Sequence, residues 1–236
     1  MILDVLAIAA HPDDVEQTCG GTLIRMAEIG YRTGVLDLTA GEMGTRGTPE
    51  QRLIEADIAA KQMLVGWRGN MRFPDARLQN DIGARMTLAV KIRELKPRLV
   101  IIPYWQGRHP DHYRAAELSY EACFLAGLKK LDEYTEPHRP EKVLYSSLYA
   151  NVTPSFVVDI SAQFERRMAA LLSYRSQYGA AEDGAGLFPQ EQEIRERLAG
   201  VARYYGNLIG VKYGEPFVVK EMMRVDDIVS MGVRSF

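Results

Sequence analysis

Three apolar segments along the chain have the length and composition of buried β-strands. They are rich in β-branched residues and almost continuously hydrophobic, and they span Ile2–Ala10, Thr33–Thr39 and Leu99–Pro103. Strands that are apolar at nearly every position are typical of a parallel sheet covered on both faces. The segments between them show helical periodicity, so the alternation predicts a doubly wound α/β arrangement.

Helix signals occur between the first strands. Thr22–Ile29 has the length and composition of a first crossover helix, and it follows the glycine pair Gly20-Gly21, which we expect to be flexible. The segment Thr48-Pro49-Glu50-Gln51 combines a capping-box pattern with proline at the first helical position. It predicts a second helix that runs to about Leu64.

Two further helices follow from the same kind of signal. Asp81 can cap a third helix, which should reach about Lys96 before Pro97 stops it. A fourth helix should follow the segment His109–His112 and continue through Gly127.

Beyond residue 140 the hydrophobic pattern is less regular. It predicts two strands, Val143–Tyr149 and Ser155–Ile160, and two helices, Ala162–Tyr178 with Ser161 as its cap and Gln190–Tyr205. The intervening Gly179–Leu187, rich in glycine and alanine, predicts a loop near the mouth of an active site. Because no repeat or linker divides the chain, we expect residues 1–236 to form one Rossmann-like domain with a mostly parallel sheet and helices on both faces.

Composition and charge exclude several classes of protein. Apolar residues make up 47% of the chain and charged residues 25%, which is typical of a globular domain and not of a disordered or fibrous chain. The net charge of −2 provides no field that would attract nucleic acid or an acidic membrane surface. The two cysteines, Cys19 and Cys123, form no spaced framework and are interpreted as free thiols. Since Ile2–Ala10 lacks a basic leader and is too short to span a membrane, we expect a cytoplasmic protein.

Candidate chemistry is concentrated in two tetrapeptides. His11-Pro12-Asp13-Asp14 follows the first predicted strand, and His109-Pro110-Asp111-His112 follows the strand Leu99–Pro103. Three of the four histidines of the chain lie in these two segments. Both segments occur at the carboxyl ends of strands, where open α/β sheets bind ligands. Imidazole nitrogens and carboxylate oxygens suit Zn²⁺, and a catalytic zinc site uses three protein ligands and leaves one position for water.

Each tetrapeptide alone has an ordinary structural interpretation. A single histidine–aspartate pair is commonly a surface hydrogen bond or a helix cap, and Pro12 and Pro110 can simply begin the helices that follow. The two interpretations are compatible. Spacing alone does not decide which aspartate, or which histidine of the second tetrapeptide, binds the metal.

The chain resembles the PIG-L/LmbE-like family of zinc N-acetylglucosaminyl deacetylases. Ala10–Glu16 with Gly20-Gly21-Thr22 is similar to the first motif of that family, and His109–His112 to its second. Further segments resemble the bacillithiol-biosynthesis branch, which deacetylates N-acetylglucosaminyl malate. They are Gly41-Glu42, Arg52 with Glu55-Ala56, Arg108, Ser176-Gln177 and Gly210–Glu215.

The resemblance implies a role for each motif residue. It assigns His11, Asp14 and His112 as ligands of one Zn²⁺ per subunit and leaves Asp13 as the general base. A protonated His109 is then the candidate for stabilising the oxyanion. Asp111 has three open interpretations: it orients His109, holds a ligand histidine, or caps the following helix.

The same resemblance implies an acidic substrate and a homo-oligomer, with a hexamer as the expected form. Arg52 and Arg108 are candidates for binding malate carboxylates, because a guanidinium donates two parallel hydrogen bonds to a carboxylate. The alternative for each is a structural ion pair with a nearby acid such as Glu55 or Glu16. Tyr213 is a third candidate substrate ligand. The main alternative is a related zinc amidase that acts on a thiol conjugate or another acylated amino sugar, and a more remote one is a non-catalytic sugar-binding protein.

Overall fold

A seven-stranded sheet forms the centre of the protein in a computed structural model that describes residues 2–131, 134–148, 150–179 and 190–233. The strands are β1 (Val5–Ala9), β2 (Thr33–Thr39), β3 (Trp67–Phe73), β4 (Leu99–Pro103), β5 (Lys142–Ser146), β6 (Phe156–Asp159) and β7 (Gly214–Val218). Their order is β3-β2-β1-β4-β5-β7-β6. The first five strands in this order run parallel, and β7 is antiparallel to both β5 and β6. The prediction of a mostly parallel α/β sheet is confirmed.

Eight helices connect or flank these strands in the described part of the chain. They are α1 (Asp14–Thr18), α2 (Gly20–Glu28), α3 (Pro49–Gln62), α4 (Ile82–Leu95), α5 (Pro110–Ala126), α6 (Phe164–Leu171), α7 (Arg175–Tyr178) and α8 (Glu191–Asn207). None of them combines the length and the continuous apolar sequence that a membrane crossing requires.

The sheet is covered on both faces, as the apolar strands predict. Alternate residues of β1 enter two separate cores: Val5, Ala7 and Ala9 pack with α1, α2, α3, α6 and α8, whereas Leu6 and Ile8 pack with α4 and α5. Every residue of β1 is buried. Because side chains alternate along a strand, an apolar residue at each position serves two cores at once.

Several predicted elements are confirmed and others need correction. The structure reproduces β2 and β4 with the predicted bounds, and it begins α3 after Thr48 and α4 after Asp81, whose side chains cap them. The predicted flexibility of Gly20-Gly21 is wrong, because both glycines belong to α2. The loop predicted at Gly179–Leu187 lies outside the described residues after Gly179.

The long helix predicted at Ala162–Tyr178 is also wrong, because it is divided into α6 and α7. The residue before α6 is Gln163, so Ser161 is not its cap. Between the two helices the buried Tyr174 directs its hydroxyl to Glu16 Oε1 at 3.1 Å. The break turns α7 towards the end of β1, where its side chains reach the candidate site.

Two strands escaped prediction for different reasons. β3 contains Arg68, whose guanidinium is buried and pairs with both Asp37 oxygens at 2.9 and 3.0 Å and with Glu16 at 2.6 Å. A charged residue therefore occupies an inward-facing position of this strand. β7 contains Gly214 and Pro216, which are unfavourable in strands.

β7 also caps the beginning of α2. Glu215 accepts hydrogen bonds from the backbone amides of Gly21 at 2.9 Å and Thr22 at 2.7 Å, and from the Thr22 hydroxyl at 2.6 Å. A Cβ atom at Gly21 would lie 2.9 Å from Glu215 Oε1 and 2.9 Å from Ile160 Cδ1. Close packing therefore requires glycine at position 21. Glu215 pairs with backbone amides at the start of α2, which have no carbonyl partner within the helix.

Candidate active site and metal centre

The two histidine motifs meet at the point where the strand order of the sheet reverses. β1 continues to β2 on one side and β4 pairs with β1 on the other, so the segments that follow β1 and β4 diverge around a crevice. His11 lies two residues beyond β1, and His112 lies in the first turn of α5. The predicted juxtaposition of the two motifs is present in the structure.

Asp14 lies between two imidazoles at distances suited to a metal. Its Oδ2 is 3.4 Å from His11 Nδ1 and 3.3 Å from His112 Nε2. Ligand atoms on a tetrahedral zinc with bonds of about 2.1 Å are separated by about 3.4 Å. Both distances from Asp14 therefore match the spacing of neighbouring ligands on one zinc ion, so the predicted set His11, Asp14 and His112 stays a candidate. Their burial is nearly complete, with exposed fractions of 9%, 7% and 8%.

The charges of these groups reinforce one another. Burial opposes ionisation of Asp14, but His112 and His11 hold the pKa of Asp14 well below its usual range. The carboxylate is therefore ionised and able to act as a ligand at neutral pH. Ring nitrogens of His11, His109 and His112 also lie within 4.8 Å of one another, so the centre is rich in potential donors.

Asp75 orients His11 and was missed by the sequence reasoning. Its Oδ1 is 3.0 Å from His11 Nε2, and Asp111 Oδ2 is 3.6 Å from the same nitrogen. If His11 carries its proton on Nε2 and donates it to these carboxylates, the lone pair on Nδ1 is left for a metal ion beside Asp14. Burial would raise the pKa of Asp75, but hydrogen bonds from His11 and from the amides of Met43 and Ala76 lower it to about 2.

We expect Asp75→Asn to weaken zinc affinity by about 10–100-fold, the usual effect of removing a carboxylate that orients a histidine ligand. Competition with a chelator of known affinity measures this change. Asp81→Asn is the matched control, since asparagine also caps a helix and Asp81 lies at the start of α4. Unchanged affinity in Asp75→Asn would show that His11 needs no such support.

Asp13 is held beside the predicted metal ligands in a strained backbone conformation. Its φ of 98° is in the left-handed region, which a residue other than glycine adopts only when its surroundings impose it. Tyr178 donates its hydroxyl proton to Asp13 Oδ2 at 2.7 Å, and Arg52 Nη2 lies 3.6 Å from Oδ1. Burial raises the pKa of Asp13 to about 6 against the opposing effect of Arg52. Tyr178 was not among the predicted site residues.

The structure separates the interpretations of Asp111. Its carboxylate accepts a hydrogen bond from the Ala76 amide at 2.7 Å and faces His11, whereas its own backbone amide donates to His109 Nδ1 at 3.2 Å. The side chain of Asp111 thus faces His11, the predicted ligand, and its backbone amide contacts His109.

His109 lines the same crevice, half-buried, as the residue before α5. Because Nδ1 accepts the Asp111 amide proton, Nε2 is the ring nitrogen that is left to donate. Burial, together with His11 and His112, lowers the pKa of His109. The geometry therefore favours a neutral donor over the protonated His109 of the sequence interpretation.

The three predicted substrate ligands occupy different environments. Arg52 lines the crevice, but it donates to the Pro12 carbonyl at 2.6 Å and the Gly41 carbonyl at 3.4 Å as well as facing Asp13. Arg108 is exposed at the rim of the crevice. Tyr213 is buried apart from the crevice, with its ring stacked on Phe164 at 3.9 Å. Its contacts here are those of a packing residue, and a contact between substrate and any of the three stays a prediction.

A cavity of about 570 Å³ opens over this centre. Besides the motif residues, it is lined by Met43 and Gly44 of the loop after β2, by Gln177 and Tyr178 of α7, and by residues of and just before α8, which are Gln190, Glu193, Ile194 and Arg197. Gln177 belongs to the segment Ser176-Gln177 that the sequence analysis singled out, whereas no sequence signal pointed to the other residues of this lining. The cavity is large enough for a sugar with an attached group, in the range usual for small-molecule sites.

The sequence matches a family model and several known proteins. The model of the family described as PIG-L, GlcNAc-PI de-N-acetylase, matches residues 6–123, which include both histidine motifs. The diacetylchitobiose deacetylase of Thermococcus kodakarensis is 30% identical over 229 residues, covering 89% of this chain and 80% of that protein. A 1D-myo-inositol 2-acetamido-2-deoxy-alpha-D-glucopyranoside deacetylase of Segniliparus rotundus is 28% identical, covering 61% of this chain and 57% of that protein.

Solved structures show the same fold. A conserved protein of Thermus thermophilus superposes with a TM-score of 0.85 and 42% identity, covering 95% of this chain and 98% of that one. The N,N'-diacetylchitobiose deacetylase of Pyrococcus horikoshii, solved with an inhibitor, gives a TM-score of 0.80 and 26% identity, covering 91% and 82%. A 4-carboxy-2-hydroxymuconate hydratase from Pseudomonas putida, at 20% identity and a TM-score of 0.78, shares the fold alone. The fold therefore does not determine the reaction.

Proposed function

The chain belongs to the PIG-L family of de-N-acetylases, and from this membership we infer that it hydrolyses the N-acetyl group of a glucosamine-containing small molecule. The reaction releases acetate and a free amine.

The observation that carries this proposal is the position of Asp14 between His11 and His112, with Asp13 beside them. The ligand spacing of 3.4 and 3.3 Å fits one zinc ion, and the neighbouring carboxylate of Asp13 is not needed to hold it. A zinc ion bound by these residues would supply a Lewis acid that polarises the acetyl carbonyl and makes water more acidic. A non-catalytic sugar-binding protein would have no use for a separate buried carboxylate at this position.

Asp13 is the proposed general base and acid. It removes a proton from the attacking water while the new C–O bond forms, and it returns that proton to the amine nitrogen as the C–N bond breaks. Tyr178 and Arg52 hold the two oxygens of this carboxylate, so its orientation is set before substrate binds. His109 donates from Nε2 to the developing oxyanion, because Nδ1 is occupied by the Asp111 amide.

We propose N-acetylglucosaminyl malate as the substrate. The resemblance of several segments to the bacillithiol-biosynthesis branch supports this choice, and so does the presence of Arg108 and Arg197 in the lining of the cavity. Both guanidinium groups belong to exposed residues. The two carboxylates of malate would find cations there, whereas a neutral sugar would not use them.

A second candidate is deacetylation of a neutral amino-sugar such as diacetylchitobiose. The observation that favours it is the 30% identity to the Thermococcus deacetylase, whose length is covered to 80%. Both candidates share the chemistry of the amide bond and differ in the group that occupies the outer part of the cavity.

Acetate release from three substrates distinguishes the candidates. The zinc-loaded protein should hydrolyse N-acetylglucosaminyl malate with a higher kcat/KM than diacetylchitobiose or free N-acetylglucosamine. The preference for the acidic substrate should be about 10- to 150-fold, the range of one hydrogen bond to a charged group. A higher kcat/KM with diacetylchitobiose would contradict the malate proposal and support the second candidate.

A further inference from the structure

Helix α8 contributes a cation to the active-site cavity that none of the proposed catalytic roles uses. Gln190, Glu193, Ile194 and Arg197 line the cavity, and Arg197 is exposed. Positions 193, 194 and 197 lie on one face of the helix, because residues three and four apart are neighbours. One face of α8 therefore borders the outer part of the cavity.

Most other charged groups in the cavity are already neutralised. Asp14 faces two imidazoles, Asp75 faces His11, and Asp13 faces Arg52 and Tyr178. Arg52 in turn donates to backbone carbonyls. A substrate that enters the cavity would meet few unused charges near the metal centre.

Arg197 differs from these groups. Within the described residues it makes no hydrogen bond or ion pair, although Glu193 lies one turn earlier on the same face. The Glu193 carboxylate accepts the Gln190 amide at 3.0 Å in the capping box of α8. The guanidinium of Arg197 thus keeps its donors available towards the cavity.

We propose that Arg197 binds a carboxylate on the aglycone of the substrate and thereby selects acidic glycosides. This inference rests on the proposed function, and it assigns a specificity-determining role to a residue on α8. A guanidinium offers donors and no acceptor, and its planar fork matches the two oxygens of a carboxylate. A neutral aglycone that covered Arg197 would displace the water bound to the guanidinium without offering a carboxylate in its place. This cost disfavours neutral substrates.

Arg195 provides a matched control on the same helix. It pairs with the Glu165 carboxylate and is not among the residues that line the cavity. Loss of Arg195 changes the net charge as much as loss of Arg197 does. An effect of general electrostatics would appear in both variants, whereas direct recognition would appear only in Arg197→Leu.

The test compares N-acetylglucosaminyl malate with the methyl glycoside of N-acetylglucosamine. The ratio of kcat/KM between the acidic and the neutral substrate should fall by about 10- to 150-fold in Arg197→Leu, mainly through KM for the acidic substrate. Arg197→Lys should recover part of the ratio, since it keeps the charge and loses the fork. Arg195→Leu should keep the parent ratio. An unchanged ratio in Arg197→Leu overturns the proposal.

Binding measurements separate this proposal from the proposed function. Calorimetry with the amine products glucosaminyl malate and methyl glucosaminide requires no turnover. If the parent binds the acidic product more tightly than the neutral one and Arg197→Leu loses this difference, the role of Arg197 is supported. This holds even if the protein releases no acetate, because the absence of acetate release would refute only the deacetylase proposal. Equal affinities of the parent and Arg197→Leu for glucosaminyl malate overturn the role of Arg197 whether or not the protein is active.

Discussion

Replacing Asp13 with asparagine should leave zinc bound and lower turnover by about 10²–10⁴-fold, the range that general-base catalysis contributes. Asparagine preserves the size of the side chain and can still accept the Tyr178 hydroxyl proton, but it cannot take a proton from water. The loss should appear in kcat with little change in metal content, which elemental analysis measures beside the rate of acetate release.

The matched control is Asp57→Asn, because it removes an exposed carboxylate of α3 that belongs to neither histidine motif. It should keep the parent turnover. Asp13→Asn with parent turnover would show that another group is the base. Asp13→Asn without zinc would instead place Asp13 among the ligands, contrary to the spacing around Asp14.

Removing a ligand should have a still broader effect, because metal and activity disappear together. We expect His112→Ala and Asp14→Ala to lose stoichiometric zinc and measurable deacetylation, and chelation of the parent protein to have the same effect until zinc is added back. Metal analysis and acetate release on the same samples measure both properties. Circular dichroism checks that each variant keeps its fold.

The fourth histidine serves as the control for these substitutions. His138 contacts the Pro97 carbonyl at 2.7 Å and belongs to neither motif, so His138→Ala should keep zinc and activity. Full activity of a demonstrably metal-free parent protein would end the zinc hypothesis. Full metal content in His112→Ala would require a different ligand set, such as one that includes His109.

The position of the site could be predicted from the sequence, whereas the contacts that hold its residues in place could not. The two motifs could be placed together because they follow β1 and β4, which are strongly apolar, and because neighbouring parallel strands end at the same edge. Asp75 could not be placed in this way. It follows β3, whose inward-facing Arg68 made the strand look polar and solvent-exposed.

Local breaks account for the remaining errors. Tyr178 reaches Asp13 only because the chain turns between α6 and α7, and the helical pattern of the segment continues through that turn. Gly20-Gly21 looked flexible because glycine is rare inside helices, whereas a contact between Gly21 and Glu215, nearly two hundred residues later, requires glycine at position 21. Non-local contacts of this kind leave no periodic signal in the sequence.

The same contact between Glu215 and α2 has a consequence for how the protein is made. Helix α2, which follows the first histidine motif and the short α1, is capped by a carboxylate from β7, so this cap is missing until β7 has been synthesised and inserted between β5 and β6. On the ribosome, the parallel strands β1 to β5 emerge before β7, because the chain is synthesised from its N-terminus. Catalytic competence should therefore arise late, in a single closing step, and a nascent chain that stops before Glu215 should bind zinc poorly although both motifs are already present.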